Sequence, residues 1–198
     1  MKNEINRIAD RLVKAFNTNT VINPIPVKYC KNINLANKLR KLCEDQIKDE
    51  TIGIKAGGTG IQALKKLKEK EPFTAKVFKK RLVKSGQKVK INQHTKGIEV
   101  EVYYFIKKSF FDFKGKVTKS NITRFIKFMG PCFEIVGFRQ RNKKFTYLGD
   151  ICGDFGFNIK FVVGRKTKFK KLNLNNLKTS LVSKKNGVQV NGLSLIHI

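Results

Sequence analysis

Gly97-Ile98-Glu99-Val100-Glu101-Val102-Tyr103-Tyr104-Phe105-Ile106 is the stretch whose reading decides the fold. The run is β-branched and aromatic, the composition of a strand. In a strand, side chains two apart project from one face, so Glu99 and Glu101 stand side by side. Two like charges in an apolar setting are unfavourable unless something positive lies between or beside them. A third carboxylate, Glu134, is embedded in another apolar pattern, Pro131-Cys132-Phe133-Glu134-Ile135-Val136. Acids are scarce: 14 Asp and Glu face 43 Lys and Arg, and only seven acids lie from Glu71 onward. Three of those seven in apolar strands point to a hard divalent cation, which prefers oxygen ligands. A solvent-facing strand with two solvated glutamates is the other arrangement this spacing allows.

The bulk numbers bound the rest. A chain of 198 residues fits one domain, or a small helical cap on a larger one. Forty per cent hydrophobic content and sixteen Phe suffice for a real core. The longest apolar runs fall far short of the roughly 18–20 residues of a membrane span. Met1-Lys2-Asn3-Glu4-Ile5 lacks the apolar centre of a secretory signal. Cys30, Cys43, Cys132 and Cys152 form no Cys-x-x-Cys pair and read as reduced, buried thiols of a cytoplasmic protein. Two His in total leave a His/Cys zinc site almost no ligands.

A formal charge of +29 raises nucleic-acid binding, since clustered Lys and Arg neutralise phosphates. Lys outnumbers Arg 35 to 8, and Asn, Ile and Phe are also abundant, which is the mix an AT-rich genome produces. Base and phosphate recognition favours Arg forks, and these lysines run along the whole length. Dedicated nucleic-acid binding is therefore disfavoured, although the charge would draw anionic ligands toward a cleft.

Ile5, Ile8, Leu12, Val13 and Phe16 recur at helical spacing over residues 4–17, and Leu35, Leu39, Leu42 and Cys43 repeat the pattern from Ile33 to Ile47. Thr51–Lys55 reads as a short buried strand running into Ala56-Gly57-Gly58-Thr59-Gly60, a turn without the Lys-Ser/Thr ending of a phosphate loop. Lys55 is a lone cation beside that turn; an ordinary snorkelling lysine is its simplest reading. A short helix follows over Ile61–Lys70, then strands at Phe73–Phe78, Lys88–Ile91 and around Glu99. Ser120 or Asn121 would cap a helix carrying Ile122, Phe125, Ile126 and Met129, closed by Gly130-Pro131. Alternation from Phe157 to Val163 marks a strand, and Asn186-Gly187 joins a hairpin between Leu177–Val182 and Val188–Val190. Helices precede a strand-rich body, an α+β order.

Taken in sequence, five blocks resemble the 2-keto-4-pentenoate (2-oxopent-4-enoate) hydratase group of the fumarylacetoacetate hydrolase superfamily, which also contains 4-oxalocrotonate decarboxylases. They are Ile52-Gly53-Ile54-Lys55-Ala56-Gly57-Gly58-Thr59, Glu71-Pro72-Phe73-Thr74-Ala75-Lys76-Val77-Phe78, Glu99-Val100-Glu101, Phe133-Glu134-Ile135-Val136, and Cys152-Gly153-Asp154-Phe155-Gly156-Phe157-Asn158 leading to Phe161-Val162-Val163-Gly164. Phe155 departs from the usual Asn, and Gly137-Phe138 from a frequent Asp-Ser, which touches substrate preference.

The resemblance implies a helical N-terminal region (1–50) and a mixed β-rich, fumarylacetoacetate-hydrolase-like roll (51–192), incomplete at its C-terminus. Residues 193–198, Leu-Ser-Leu-Ile-His-Ile, look like the translation of a sequencing-library transposon adapter, so a non-native tail is expected there. It also implies a Mg²⁺ or Mn²⁺ site on Glu99, Glu101 and Glu134, with substrate contacts from Lys55, Thr74 and Asp154. Lys55 would either hold the substrate carboxylate or move a proton. The implied activity is a hydro-lyase of aromatic catabolism that hydrates a 2-hydroxy-2,4-dienoate to a 4-hydroxy-2-oxo acid. Decarboxylation of a 2-oxo-enedioate is the near alternative, and a basic nucleic-acid-binding protein without catalysis the distant one. Carbon–carbon hydrolases of the superfamily add a His-Glu pair, and only His94 is available for it. The implied partners are a small 2-oxo acid and, at full length, further copies of the chain, with no membrane.

Overall fold

The computed structural model describes residues 2–91, 94–173, 177–182, 187, 189–193 and 196–197. They fall into two compact units. Unit 1 comprises Met1–Leu82, Lys90–Lys96 and Val136–Ile159; unit 2 comprises Val83–Val89, Gly97–Ile135 and Lys160–Ile198. The helices and the first two strands share unit 1.

Unit 1 is built on α1 (Lys2–Thr18), α2 (Lys28–Lys31) and α3 (Ile33–Asp45). The apolar stripe of α1 buries Ile5, Ile8, Leu12 and Phe16 with Leu39 and Cys43 of α3, as the 3.6-residue spacing requires. Asn32 starts α3, its Oδ1 accepting from the backbone N–H of Asn34 and Leu35 at 3.0 and 3.1 Å. β1 (Thr51–Gly57) and β2 (Phe73–Phe78) form an antiparallel ribbon, joined through α4 (Ile61–Leu67). Phe73 and Ala75 of β2 pack with Ala36, Leu64, Leu148 and Cys152, the last two from α5 (Leu148–Cys152). A methyl group on Gly149 would stand 2.1 Å from the Cys30 carbonyl oxygen, so only glycine lets α5 approach α2 this closely.

The charged core of unit 1 centres on Arg139. Its guanidinium pairs with the Asp154 carboxylate at 3.1 Å, donates to the Asn158 carbonyl, and lies 4.8 and 5.1 Å from the Phe16 and Phe155 ring centroids. The other Asp154 oxygen accepts from the Arg139 backbone N–H and from Gln140 Nε2. A second buried pair, Arg40–Glu44, lies within α3, and the free oxygen of Glu44 accepts from the Lys76 N–H, fastening β2 to that helix.

Most of unit 2 belongs to a sheet of β3 (Leu82–Lys84), β4 (Thr95–Ile106), β5 (Ile126–Gly137), β6 (Asn158–Val163) and β10 (Ile196–His197), in the order β10-β4-β5-β6-β3, with β7 (Thr167–Lys168) also on β5. β10 lies within the expected tail and sets His197 opposite Glu99. β8 (Lys178–Val182) and β9 (Gln189–Leu193) form the expected hairpin; Gly187 has a positive φ, while Asn186 and Val188 lie outside the described residues.

Three local expectations fail. β1 is exposed, with Ile54 72 % accessible, because its outward side chains meet solvent. Lys88–Ile91 forms no strand; Leu82–Lys84 takes the sheet edge instead. The helix expected over 122–129 is only a 3₁₀ turn, Ile122–Phe125, after which β5 runs straight through Gly130-Pro131. Ladder pairing outweighs the short helical spacing there. Pro131 needs no N–H at its position, and its carbonyl accepts from Gly164 at 2.9 Å.

Asp154→Asn would leave the Arg139 charge buried without its counter-ion. Urea unfolding should show a loss of about 3–5 kcal/mol; a loss below about 1 kcal/mol would mean that the Asn158 and ring contacts suffice.

Candidate metal centre

Strand periodicity places Glu99 and Glu101 on one face of β4. Glu134, on the neighbouring β5, brings its carboxylate to the same place: ligand oxygens of the three lie within 4.8 Å of one another. Glu134 is buried at 2 % exposure and the other two are half-buried. Both strands run twelve residues, so the carboxylates stand on rigid ladders rather than loops.

The set is chemically uniform. Three carboxylate oxygens match a hard divalent ion that takes six or more oxygen ligands and keeps some of them as water. The field of the cluster is felt next door. Burial first, then the negative charges of Glu134 and Glu101, push the Cys132 thiol up to about 12. It therefore sits as a neutral apolar group beside the acids. Tyr103, two residues beyond Glu101, donates its hydroxyl to the Gly164 carbonyl at 3.3 Å. Neither Cys132 nor Tyr103 stood out in the sequence as a neighbour of the acids. The strand period would have found both, since each lies two residues from a ligand.

Lys55, Thr74 and Asp154 belong to unit 1. Lys55 lies opposite Ala75 in the β1–β2 ribbon and donates to the Gly156 carbonyl at 2.9 Å. Gly156, at φ +68°, makes room for that approach; a methyl there would meet Ala75 Cβ at 2.6 Å and Lys55 Cδ at 3.7 Å. Thr74 pairs with Ala56, the neighbouring rung, and so projects from the opposite face to Lys55. It lines an open groove of about 630 Å³ with Asn34, Asn37, Lys38, Lys41 and Asp45. Asp154 is fully buried, its oxygens taken up by Arg139 and Gln140. Of the six expected site residues, the fold brings the three glutamates together, sets Lys55 and Thr74 on opposite faces of one ribbon, and uses Asp154 internally. His94 is half-buried in unit 1; burial, then the charge of Arg139, hold its imidazole below the usual histidine range.

With this geometry in place, the fold is recognisable. The chain has the fold of 4-oxalocrotonate decarboxylase from Pseudomonas putida G7. A structure described as complexed with magnesium and adipate superposes with a TM-score of 0.71, and one complexed with calcium and acetate with 0.74. Each is 15% identical in sequence, and each match covers 98% of this chain and 74% of the other. No protein-family model and no curated protein sequence matches the chain. No described helix is long and apolar enough to cross a membrane.

Divalent metal should stabilise this centre. At Mg²⁺ or Mn²⁺ a hundredfold above its dissociation constant, the gain is about 2.7 kcal/mol, a rise of several degrees in thermal midpoint. Glu134→Gln should abolish the rise. A wild-type midpoint indifferent to both ions would remove the metal assignment.

Proposed function

We propose that the chain is a divalent-cation-dependent hydro-lyase that hydrates a 2-hydroxy-2,4-dienoate to a 4-hydroxy-2-oxo acid. The observation that carries this reading is the convergence of Glu99, Glu101 and Glu134 on one sheet face. It is supported by the five sequence blocks and by solved structures of the same fold described with magnesium or calcium beside a carboxylic acid.

Glu99, Glu101 and Glu134 would hold Mg²⁺ or Mn²⁺. When bound, such an ion supplies Lewis-acid stabilisation to the oxygen that gains charge as a 2-oxo acid passes through its enolate. The three carboxylates fix the ion from rigid strands and leave its remaining positions to water and substrate oxygens. Cys132 and Tyr103 flank the acids with a neutral thiol and an internally bonded phenol, so neither competes as a base. Of the two tasks the resemblance leaves open for Lys55, this reading takes the first, a cation that holds the substrate carboxylate. Four free, buried cysteines accord with a reducing, cytoplasmic setting. Self-association and a place in aromatic catabolism belong to the same reading.

A second reading has its own support. Two solved structures of this fold are named as 4-oxalocrotonate decarboxylase, and loss of CO₂ from a 2-oxo-enedioate leads to the same enolate.

The two readings separate in one experiment. With Mg²⁺ or Mn²⁺, loss of 2-hydroxypenta-2,4-dienoate absorbance without CO₂ release assigns hydration. CO₂ release from 4-oxalocrotonate, with the dienoate untouched, assigns decarboxylation. Turnover should stop on chelation and fall more than about a hundredfold in Glu101→Gln. Failure to turn over either acid with metal bound would dismiss both readings. Lys55→Met should raise KM more than it lowers kcat, as loss of a carboxylate-binding charge does.

A further inference from the structure

Lysines run evenly along the sequence, but the acids do not run evenly through the fold. Of the four acidic residues in unit 2, Glu99, Glu101 and Glu134 form the carboxylate cluster. Asp112 is the fourth, in a unit that is otherwise rich in Lys.

One end of the unit 2 sheet gathers cations and aromatic rings on both of its faces. β5 starts there and pairs with β7, setting Phe128 opposite Lys168. Lys127 and Lys166 both stand over the Phe128 ring, 5.3 and 5.1 Å from its centroid. At the end of β4, Phe105 meets Phe128 edge-on at 6.1 Å, and Tyr104 meets Phe169 at 6.3 Å. The chain leaves β4 through Lys107, whose backbone N–H donates to the Phe125 carbonyl and whose ammonium donates to the Arg124 carbonyl. Arg124 lies 4.6 Å from the Phe113 centroid and 4.7 Å from that of Phe125. Phe110 then links Phe125 to Phe111, at 5.4 and 5.6 Å. Phe111, Phe105 and Tyr104 remain 74, 55 and 37 % exposed, and Lys107, Arg124, Lys127, Lys166 and Lys168 are exposed with them.

We propose that this surface binds single-stranded nucleic acid by neutralising phosphates and stacking bases on the open rings. Cations with almost no acids among them attract a phosphodiester backbone, and exposed rings accept any base. Lysine lacks the planar fork that reads base edges, so binding is independent of sequence. A planar anionic bilayer is the poorer fit. Tyr104 and Phe105 are consecutive on β4 and project from opposite faces, which a flexible polymer reaches and a flat surface does not. The surface stands independently of the chemistry at the carboxylates.

The test is fluorescence anisotropy of the full chain with a labelled 20-nucleotide oligo(dT), with circular dichroism confirming that each variant folds. Lys127→Glu/Lys166→Glu/Lys168→Glu should weaken binding tenfold or more at 0.1 M salt. Lys14→Glu/Lys38→Glu/Lys48→Glu, the same charge change placed in unit 1, should weaken it less than threefold. Phe105→Leu/Phe111→Leu keeps apolar bulk but removes two π-faces, and should cost about fivefold or more at 0.3 M salt. Equal losses in the two lysine triples would reduce the effect to net charge and overturn the proposal. So would unaltered binding by the Leu variant, or binding to phosphatidylserine vesicles without binding to the oligonucleotide.

Discussion

Like-charge repulsion among three glutamates is the constraint around which unit 2 is arranged. With oxygens within 4.8 Å, each fully charged pair repels by at least about 3.5 kcal/mol at an effective dielectric near 20. Three such pairs approach the whole net stability of an ordinary domain. A doubly charged ion between the oxygens would turn that repulsion into attraction. The same constraint explains its platform: carboxylates that repel must be held by something stiffer than a loop, and two adjacent twelve-residue strands provide that.

Acids in unit 1 serve a different purpose. Asp154 neutralises the buried Arg139, Glu44 pairs with Arg40 and receives a backbone N–H from β2, and Asp150 pairs with Lys143 at 2.7 Å while accepting from the Thr146 and Tyr147 N–H groups. Each cancels a charge or satisfies an orphan donor, which is what a buried carboxylate must do to avoid its desolvation cost. In a chain with 43 basic residues and 14 acidic ones, few acids are left for anything else. Unit 2 holds four of the fourteen acids, three of them gathered in the carboxylate cluster, and its sheet ends in a basic, aromatic surface.

Much of the secondary structure was legible because burial imposes a period. The α1 and α3 stripes, the β4 run and the Phe161 strand are repeats that solvent exclusion demands, and they formed where expected. The expected helix over 122–129 failed because its apolar spacing is short enough to serve either period, and pairing with neighbouring strands supplied partners that an isolated turn lacks. β1 failed differently. Its composition says strand correctly, but which face is covered depends on what packs there, and here little does.

The site divides along the same line. The amino-acid order by itself determined that Glu99 and Glu101 share a face, since the two-residue period is local geometry, and that any ion held there would be hard, since the donors are oxygen. Only tertiary structure decided that Glu134, more than thirty residues away, joins them, because strand neighbours and register are long-range choices. Tertiary structure also put Lys55 and Thr74 on opposite faces of their ribbon, turned Asp154 inward to Arg139, and gathered scattered lysines and rings at one end of a sheet. Local periods can be read from a chain in isolation; which surfaces meet follows from packing that no single segment contains.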